Sequence, residues 1–247
     1  MNLSFYTASV GAQQQQDRLD VHANNIANVN TYGFRAKIPS FQSLMTGPVQ
    51  GINEDLMRGV GSRMVDAETD FRTSGLLGTD RLLDFAIEGN GFFGLADPVT
   101  GEISYTRDGS FALSEFFTED EETGETVRRW HLSDGLGRFV LGVDGQPVVV
   151  TETQNEQLLG ADLGIGIFDF VNYNGMQSMG DNRLVQVAKN GQAGLGDAKL
   201  VQGYLELSNA DLANELAKVI EAQRSFQYML RMVTTSDEIE TTVNNLR

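Results

Sequence analysis

The residue types that could support chemistry in this chain are few and scattered. The segment GNGFFG at 89–94 matches G-x-G-x-x-G, the glycine pattern of dinucleotide-binding loops. Such a loop binds pyrophosphate only where it opens a helix whose first amide groups face the ligand. Pro98 and Gly101 follow the segment and prevent a helix there. The glycines therefore favour a tight turn between strands, with Phe92 or Phe93 in the core, over nucleotide binding.

The sequence gives metal and hydrolytic sites little support. His22 and His131 are its two histidines, and with no cysteine it can form neither a disulfide nor a thiolate metal site. The acidic segment TEDEETGET at 118–126 lacks the ligand spacing and flanking helices of an EF-hand. We interpret that segment as a solvated hairpin tip. We predict no catalytic residue, no metal and no cofactor.

The composition is that of a globular protein with an acidic middle. The 27 glycines among 247 residues indicate many turns between short strands. The net charge of −16 argues against a nucleic-acid partner, because phosphate binding requires a basic surface. Residues 1–40 carry a net charge of +1 and residues 205–247 carry −3, so most of the negative charge lies between them. This layout suits close packing of the two ends, and it equally suits acidic loops that keep the protein soluble.

The first residues do not have the pattern of a secretory signal. MNLSFYTASVGAQQQQ contains no basic region and no long apolar run. Nor does the chain contain 18 consecutive apolar residues. We therefore expect neither a cleaved secretory signal nor a membrane-spanning helix.

The elements that must position any functional residue begin with helices at both ends. An N-terminal stripe of residues three and four apart (5, 8, 12, 15, 19, 22, 26) predicts the first helix. A stronger stripe near the C-terminus predicts a second helix, with Ser208 or Asn209 as its N-cap. The residues of this C-terminal seam are Leu212, Leu216, Val219, Gln223, Phe226, Leu230 and Val233.

The middle of the chain has the pattern of strands. Residues 81–113 contain short apolar runs broken by Gly, Asp and Pro, which is typical of consecutive hairpins. Asp144-Gly145 predicts a type I′ turn between two apolar runs. We predict an α+β fold with a discontinuous N- and C-terminal α-helical coiled-coil domain and a central β-rich domain. The predicted boundaries are 1–36 for the N-terminal helix, 37–80 for an extended linker, 81–199 for the β-rich domain and 200–247 for a C-terminal strand and helix.

A free-energy estimate shows that the C-terminal helix needs partners. Burial of its six apolar seam residues contributes ~9–18 kcal/mol at ~1.5–3 kcal/mol for each side chain. Ordering about 30 residues costs at least ~30 kcal/mol of backbone entropy. Hydrogen bonds close only part of this difference. We therefore expect the helix to pack against several others, including helices of neighbouring chains.

Three motifs carry a resemblance to a known family. ANNIANVNTYGFRAK at 23–37 resembles the N-terminal signature of the bacterial flagellar rod and hook proteins, A-N-N-x-A-N-x-x-T-x-G-F/Y, which closes their first helix. LDFAIEGNGFFGL and YTRDGSFAL, at 83–95 and 105–113, are similar to the body of the rod proteins. Residues 203–246 resemble their C-terminal helix. The chain is thereby identified as a member of the flagellar basal-body rod family, nearest to the distal-rod type.

The resemblance implies a structural subunit of the basal-body rod. It implies terminal helices stacked into a tube, no enzymatic activity, and export through the flagellar type III apparatus. The implied partners are copies of the chain, neighbouring rod and hook proteins, and the export apparatus. Two alternatives stay open: a secreted adhesin or wall-binding module with a helical stalk, and an enzyme.

The asparagines of the first motif have two interpretations. Their amides offer donors and acceptors without charge, so Asn24 and Asn28, one helical turn apart, could bridge neighbouring helices and the linker backbone. Alternatively they only end the helix, with Gly33 adopting positive φ. We predict a subunit interface that comprises Phe5, Leu19, Asn24, Ile26 and Asn28 together with the seven residues of the C-terminal seam.

Overall fold

The computed structural model describes residues 3–44, 47–48, 57–59, 61–119, 126–150 and 163–246. The chain forms two compact units. The first comprises Met1–Val29, Ala36–Asp70 and Ala210–Arg247, and the second comprises Asn30–Arg35 and Phe71–Asn209. Most of the predicted acidic hairpin tip lies outside the described residues.

Two antiparallel helices form the first unit together with a hairpin. Helix α1 spans Leu3–Ala27 and helix α2 spans Leu212–Asn245. The N-cap of α2 is Asp211, whose side chain accepts a hydrogen bond of 3.0 Å from the amide of Ala213. The prediction of Ser208 or Asn209 was therefore wrong by two or three residues. None of the described helices is long and apolar enough to cross a bilayer.

The predicted linker contains paired strands. Strand β1 (Lys37–Ser43) pairs antiparallel with β4 (Ser62–Thr69), with a bulge between Ser40 and Phe41. Gln14 of α1 accepts a hydrogen bond from the amide of Met64, which joins the hairpin to the helix. Two short strands, β2 (Gly47–Pro48) and β3 (Met57–Arg58), also pair. The predicted domain boundaries stay a prediction.

The second unit is built on a ten-stranded sheet. The strands of this unit are β5 Leu76–Gly78, β6 Phe85–Glu88, β7 Phe92–Ala96, β8 Ile103–Thr106, β9 Ala112–Glu119, β10 Thr126–Ser133, β11 Phe139–Val140, β12 Val149–Val150, β13 Ile167–Asp169, β14 Gln177–Gly180, β15 Arg183–Val185, β16 Gly194–Leu195, β17 Lys199–Gln202 and β18 Tyr204–Glu206. The main path of the sheet runs β12-β10-β11-β7-β8-β15-β14, with β9 beside β10, β13 beside β7 and β16 beside β13. Two further antiparallel pairs, β17-β6 and β18-β5, complete the unit.

The segment GNGFFG connects two strands of this unit. Gly89 and Gly91 have φ of 125° and 121°, between β6 and β7. Phe92 and Phe93 are both buried, and Phe93 lies in the main core with Phe111 and Leu132. No helix follows, so the preference for a strand turn over a nucleotide loop is confirmed.

One predicted turn has a different geometry. A type I′ turn needs positive φ at both central residues. Gly145 has φ of 71°, but the φ of Asp144 is not positive. Two adjacent left-handed residues occur instead at Asp181 and Asn182, between β14 and β15. The type I′ prediction at Asp144-Gly145 was therefore wrong. The α+β class, with a helix at each end of a β-rich middle, is confirmed.

Candidate functional site

A buried polar cluster joins the two helices of the first unit. The Nδ1–H of His22 in α1 donates to Oε2 of Glu215 in α2 at 2.6 Å, because a carboxylate oxygen can only accept. The side-chain amide of Asn25 donates to the same oxygen at 3.1 Å. Lys218 donates to the other carboxylate oxygen at 2.9 Å. His22, Asn25 and Glu215 are all buried. Together with Lys218 they form what we call the Glu215 cluster.

The cluster keeps Glu215 ionised in a buried position. Burial raises the pKa of its carboxyl, but the hydrogen bonds from Lys218, Asn25 and His22 outweigh it and hold the pKa below its ordinary value. A buried carboxylate is stable only when its lone pairs are satisfied by such donors. The cluster therefore fixes the relative position of α1 and α2 at one end of their contact.

Asn25 also pairs with the backbone beyond the end of α1. Its amide donates to the carbonyl of Lys37 at 2.8 Å, and its carbonyl accepts from the Lys37 amide at 2.9 Å. The Asn25 side chain thus makes with Lys37, the first residue of β1, the pair of hydrogen bonds that a neighbouring strand would make. Asn24 is exposed, and Asn28 donates to the Asn24 carbonyl at 2.9 Å within the helix end. Both interpretations of Asn24 and Asn28 stay predictions.

Small side chains fill the rest of the contact between the helices. Ala8 and Ala12 of α1 are buried, as are Ala222 and Ser236 of α2. A Cβ added at Gly11 would lie 3.2 Å from the sulfur of Met229. The buried residues of α2 are thus Glu215, Ala222 and Ser236. The half-buried Met229 occupies the remaining position of this line, in which successive residues are seven apart. This line differs from the predicted C-terminal seam.

The predicted interface residues lie beside this line. None of the twelve is buried in the single chain. The half-buried ones are Leu19, Ile26, Asn28, Val219, Phe226 and Val233. The exposed ones are Phe5, Asn24, Leu212, Leu216, Gln223 and Leu230. The exposed leucines of α2 are therefore not covered by α1 within one chain. The assignment of the twelve residues to a subunit interface stays a prediction.

A second buried cluster, which we call the Glu206 cluster, lies in the second unit. Glu206 of β18 accepts from Arg35 at 2.7 Å and from Arg107 at 3.1 Å. The amide of Ser74 donates to the same carboxylate at 3.0 Å. Both arginines are about nineteen-twentieths buried, and Glu206 is 1% exposed. Because two cations share one anion, removal of the anion would leave buried charge unpaired.

The Glu206 cluster connects the three sequence motifs. Arg35 lies near the end of the first motif, Arg107 lies in the second and Glu206 lies near the start of the third. Arg107 also donates to the carbonyls of Ile87 and Gly89, at 3.2 and 2.5 Å. Burial is the main cause that lowers the pKa of Arg107 below its ordinary value, and the adjacent Glu206 carboxylate opposes that shift. The motifs therefore carry residues that hold distant parts of the chain together.

The two histidines belong to different structural contexts. His131 stacks on Phe139 with ring centroids 4.6 Å apart. Burial, with a smaller contribution from Arg129, lowers its pKa, so it is neutral at pH 7. Among the described residues no group of three His, Asp or Glu side chains is placed to hold a metal ion.

The sequence reasoning missed Asn25, Arg107, Glu206 and Glu215. Asn25 lies in the first motif, but nothing in the neighbouring sequence distinguishes it from Asn24. Glu206 and Glu215 had no signal in the sequence, because their burial and their partners are set by the fold.

Comparison with known proteins gives matches along the whole chain. Three family models match: flagella basal body rod protein at residues 5–35, the flagellar hook protein FlgE/F/G D1 domain at 86–128, and the flagellar basal body rod FlgEFG protein C-terminal region at 201–246. The flagellar basal-body rod protein FlgG of Bacillus subtilis is 33% identical, over 99% of this chain and 98% of its own length. FlgG of Buchnera aphidicola is 31% identical over 96% of both chains, and FlgG of Borreliella burgdorferi is 31% identical over 100% and 99%. Identity at this level across nearly complete chains shows that this protein belongs to the flagellar basal-body rod protein family and is a structural subunit of the bacterial flagellar basal body.

Proposed function

We propose that copies of this chain polymerise through α1 and α2 into the tubular rod of the flagellum. In this proposal the helices form a coiled-coil layer and contact neighbouring rod and hook proteins at the ends of the polymer. The observation that carries it is the exposure of three leucines of α2 in the single chain. Leu212, Leu216 and Leu230 are exposed although they lie on a well-formed helix.

The composition of the α1–α2 contact explains why copies are needed. Within one chain the residues buried in this contact are alanines, one serine and members of the Glu215 cluster, which remove little apolar surface from water. Each half-exposed leucine that a second copy covers would contribute about 1 kcal/mol. A polymer repeats that contribution at every subunit, so many small contributions produce a stable tube.

The remaining parts of the proposal follow from family membership. The chain acts mechanically rather than as a catalyst, without a cofactor, and it reaches the rod through the flagellar export apparatus. The names of its relatives support a rod component and lend no support to an adhesin or wall-binding module.

Electron microscopy of purified basal bodies tests this proposal. A tagged copy of the chain should localise to the rod when it replaces the native copy. A variant with Leu212→Ser and Leu216→Ser should be folded but absent from basal bodies. The matched control carries Ala213→Ser and Ala217→Ser, which are also exposed and four residues apart, and it should assemble normally. A tagged chain that is expressed at a normal level yet never found in basal bodies would contradict the proposal.

A further inference from the structure

Helix α2 carries two exposed apolar stripes besides the line that α1 covers. Stripe A comprises Leu212, Leu216, Ile220, Gln223, Gln227 and Leu230, and its four apolar residues are 44–51% exposed. Stripe B comprises Tyr228, Met232, Ile239 and Val243 together with Leu246, the C-cap residue that follows the helix, and these five residues are 54–83% exposed. The exposed large apolar side chains of α2 are therefore divided between two surfaces.

The stripes lie on opposite flanks of the helix. Successive residues of an α-helix turn by roughly 100°. Relative to the buried line through Ala222, stripe A is centred roughly 110° to one side and stripe B roughly 95° to the other. A single neighbouring helix cannot cover both flanks, so α2 requires two different neighbours.

The spacing of the two stripes is the same. When Ile220 is left out, successive residues of stripe A are separated by four, seven, four and three positions. The residues of stripe B have the same separations, and each lies sixteen positions after its counterpart in stripe A. At 1.5 Å per residue this offset is about 24 Å along the helix. The residue that corresponds to Ile220 is Ser236, which α1 buries.

The flanks are polar where the stripes are absent. Past Leu230 the flank of stripe A continues with Thr234, Thr241 and Asn245. Before Tyr228 the flank of stripe B holds Asn214 and Glu221, and Glu221 already pairs with Arg18 of α1 at 3.4 Å. Two parallel copies at the same height would therefore place each apolar stripe against a polar flank.

We infer that stripe A of one copy packs against stripe B of a second, parallel copy displaced by about 24 Å along the helix axis. This inference rests on the proposed function and specifies its contact. Leu212 then lies opposite Tyr228, Leu216 opposite Met232 and Leu230 opposite Leu246. Because the contact joins two different surfaces, each added copy presents a new free stripe and the assembly continues. A two-fold pair through stripe A alone would leave both copies of stripe B uncovered.

Cysteine cross-linking measures this displacement. The chain contains no cysteine, so engineered pairs have no background. Leu216→Cys and Met232→Cys lie about 24 Å apart in one helix, far beyond disulfide distance. A disulfide between them must join two copies, and oxidation of basal bodies should give a ladder of covalent multimers. Leu230→Cys with Leu246→Cys provides an independent second pair that should also give a ladder.

The control pair distinguishes a staggered from an unstaggered contact. In the control variant, with Leu216→Cys and Asn214→Cys, a disulfide could form only between two copies that lie side by side without displacement along the helix axis. This variant should give no ladder. A ladder from this control in place of the staggered pairs would overturn the inference. So would the absence of any ladder from variants that are visibly assembled in the rod, although the proposed function would then stand. If the tagged unmodified chain is itself missing from basal bodies, the proposed function fails and the inference with it.

Discussion

At the scale of the residue, one carboxylate holds the second unit together. Glu206 is the shared partner of Arg35 and Arg107, which lie 171 and 99 residues away in the sequence. Its backbone carbonyl also accepts a hydrogen bond of 2.7 Å from the amide of Gly33. Residues from the three motifs therefore depend on one position.

Replacing Glu206 should strongly destabilise the protein. Glu206→Gln leaves two buried guanidinium groups without a counter-charge, and breaking a buried pair in this way costs about 3–5 kcal/mol. The free energy of unfolding, measured in urea, checks this. Glu115→Gln is the matched control, since Glu115 pairs with Arg128 at 2.6 Å but the arginine side chain is 61% exposed. The control should cost less than about 1 kcal/mol, and equal losses in both variants would contradict the argument.

Gly33 should not tolerate a side chain. Its φ is 64°, and an added Cβ would lie 2.4 Å from the carbonyl carbon of Arg107. We expect Gly33→Ala to lower the free energy of unfolding by about 2 kcal/mol or more. Gly135→Ala, where no atom lies within 4 Å and φ is not positive, should leave thermal unfolding almost unchanged. A melting temperature of Gly33→Ala equal to that of the control would show that the backbone here has another conformation.

At the scale of the element, the helix pair should respond to acid through Glu215. The pKa of Glu215 is lowered in the folded chain from its ordinary value of 4.5. A lowered pKa stabilises the folded state above the unfolded value, and this contribution is lost as the pH falls through the folded value. Helix content followed by circular dichroism should therefore decrease below about pH 4.5.

Two variants isolate this effect. Glu215→Gln should be less stable at pH 7 and should lose less stability between pH 5 and 3. Glu221→Gln removes an exposed partner of Arg18 instead and should keep the acid response of the unmodified chain. An unchanged acid response in Glu215→Gln would assign the pH dependence to other carboxylates.

The side of α2 that carries Phe226 and Leu230 should be essential for assembly but not for the fold of the second unit. Phe226 is half-buried and Leu230 is exposed in the single chain. If copies cover them, Phe226→Ala with Leu230→Ala should cost up to about 2–5 kcal/mol for each well-buried site, repeated in every subunit. We expect loss of motility and of basal-body yield. Glu221→Ala serves as the control, and normal motility in the double variant would contradict the helix-tube assignment.

At the scale of the whole molecule, net charge should oppose assembly. Each copy carries a charge of −16, so bringing copies together costs electrostatic free energy that salt screens. The critical concentration for polymerisation, measured by sedimentation, should fall between about 20 and 300 mM salt. Sodium and potassium chloride should act alike if screening is the cause. A critical concentration that rises with salt would indicate that ionic contacts between copies dominate.

The sequence by itself determined the kinds of element and the family. Residues three and four apart predict a helix at each end, and glycine-rich apolar runs predict the strands between them. The same local rules predicted a turn between strands at 89–94, because a proline and a glycine follow it. These properties depend on neighbours within a few residues, so they are visible without a structure.

The tertiary structure alone decided which face of α2 is buried and which polar residues are paired. Apolar periodicity located the large side chains of α2, yet α1 covers the line of Glu215, Ala222 and Ser236 because only small or hydrogen-bonded residues permit two helices to approach closely. Asn25 and Glu206 acquire their roles from partners that the fold brings near. Glu206 is an isolated charge in its strand, and only the return of Arg35 and Arg107 to the same place makes its burial favourable.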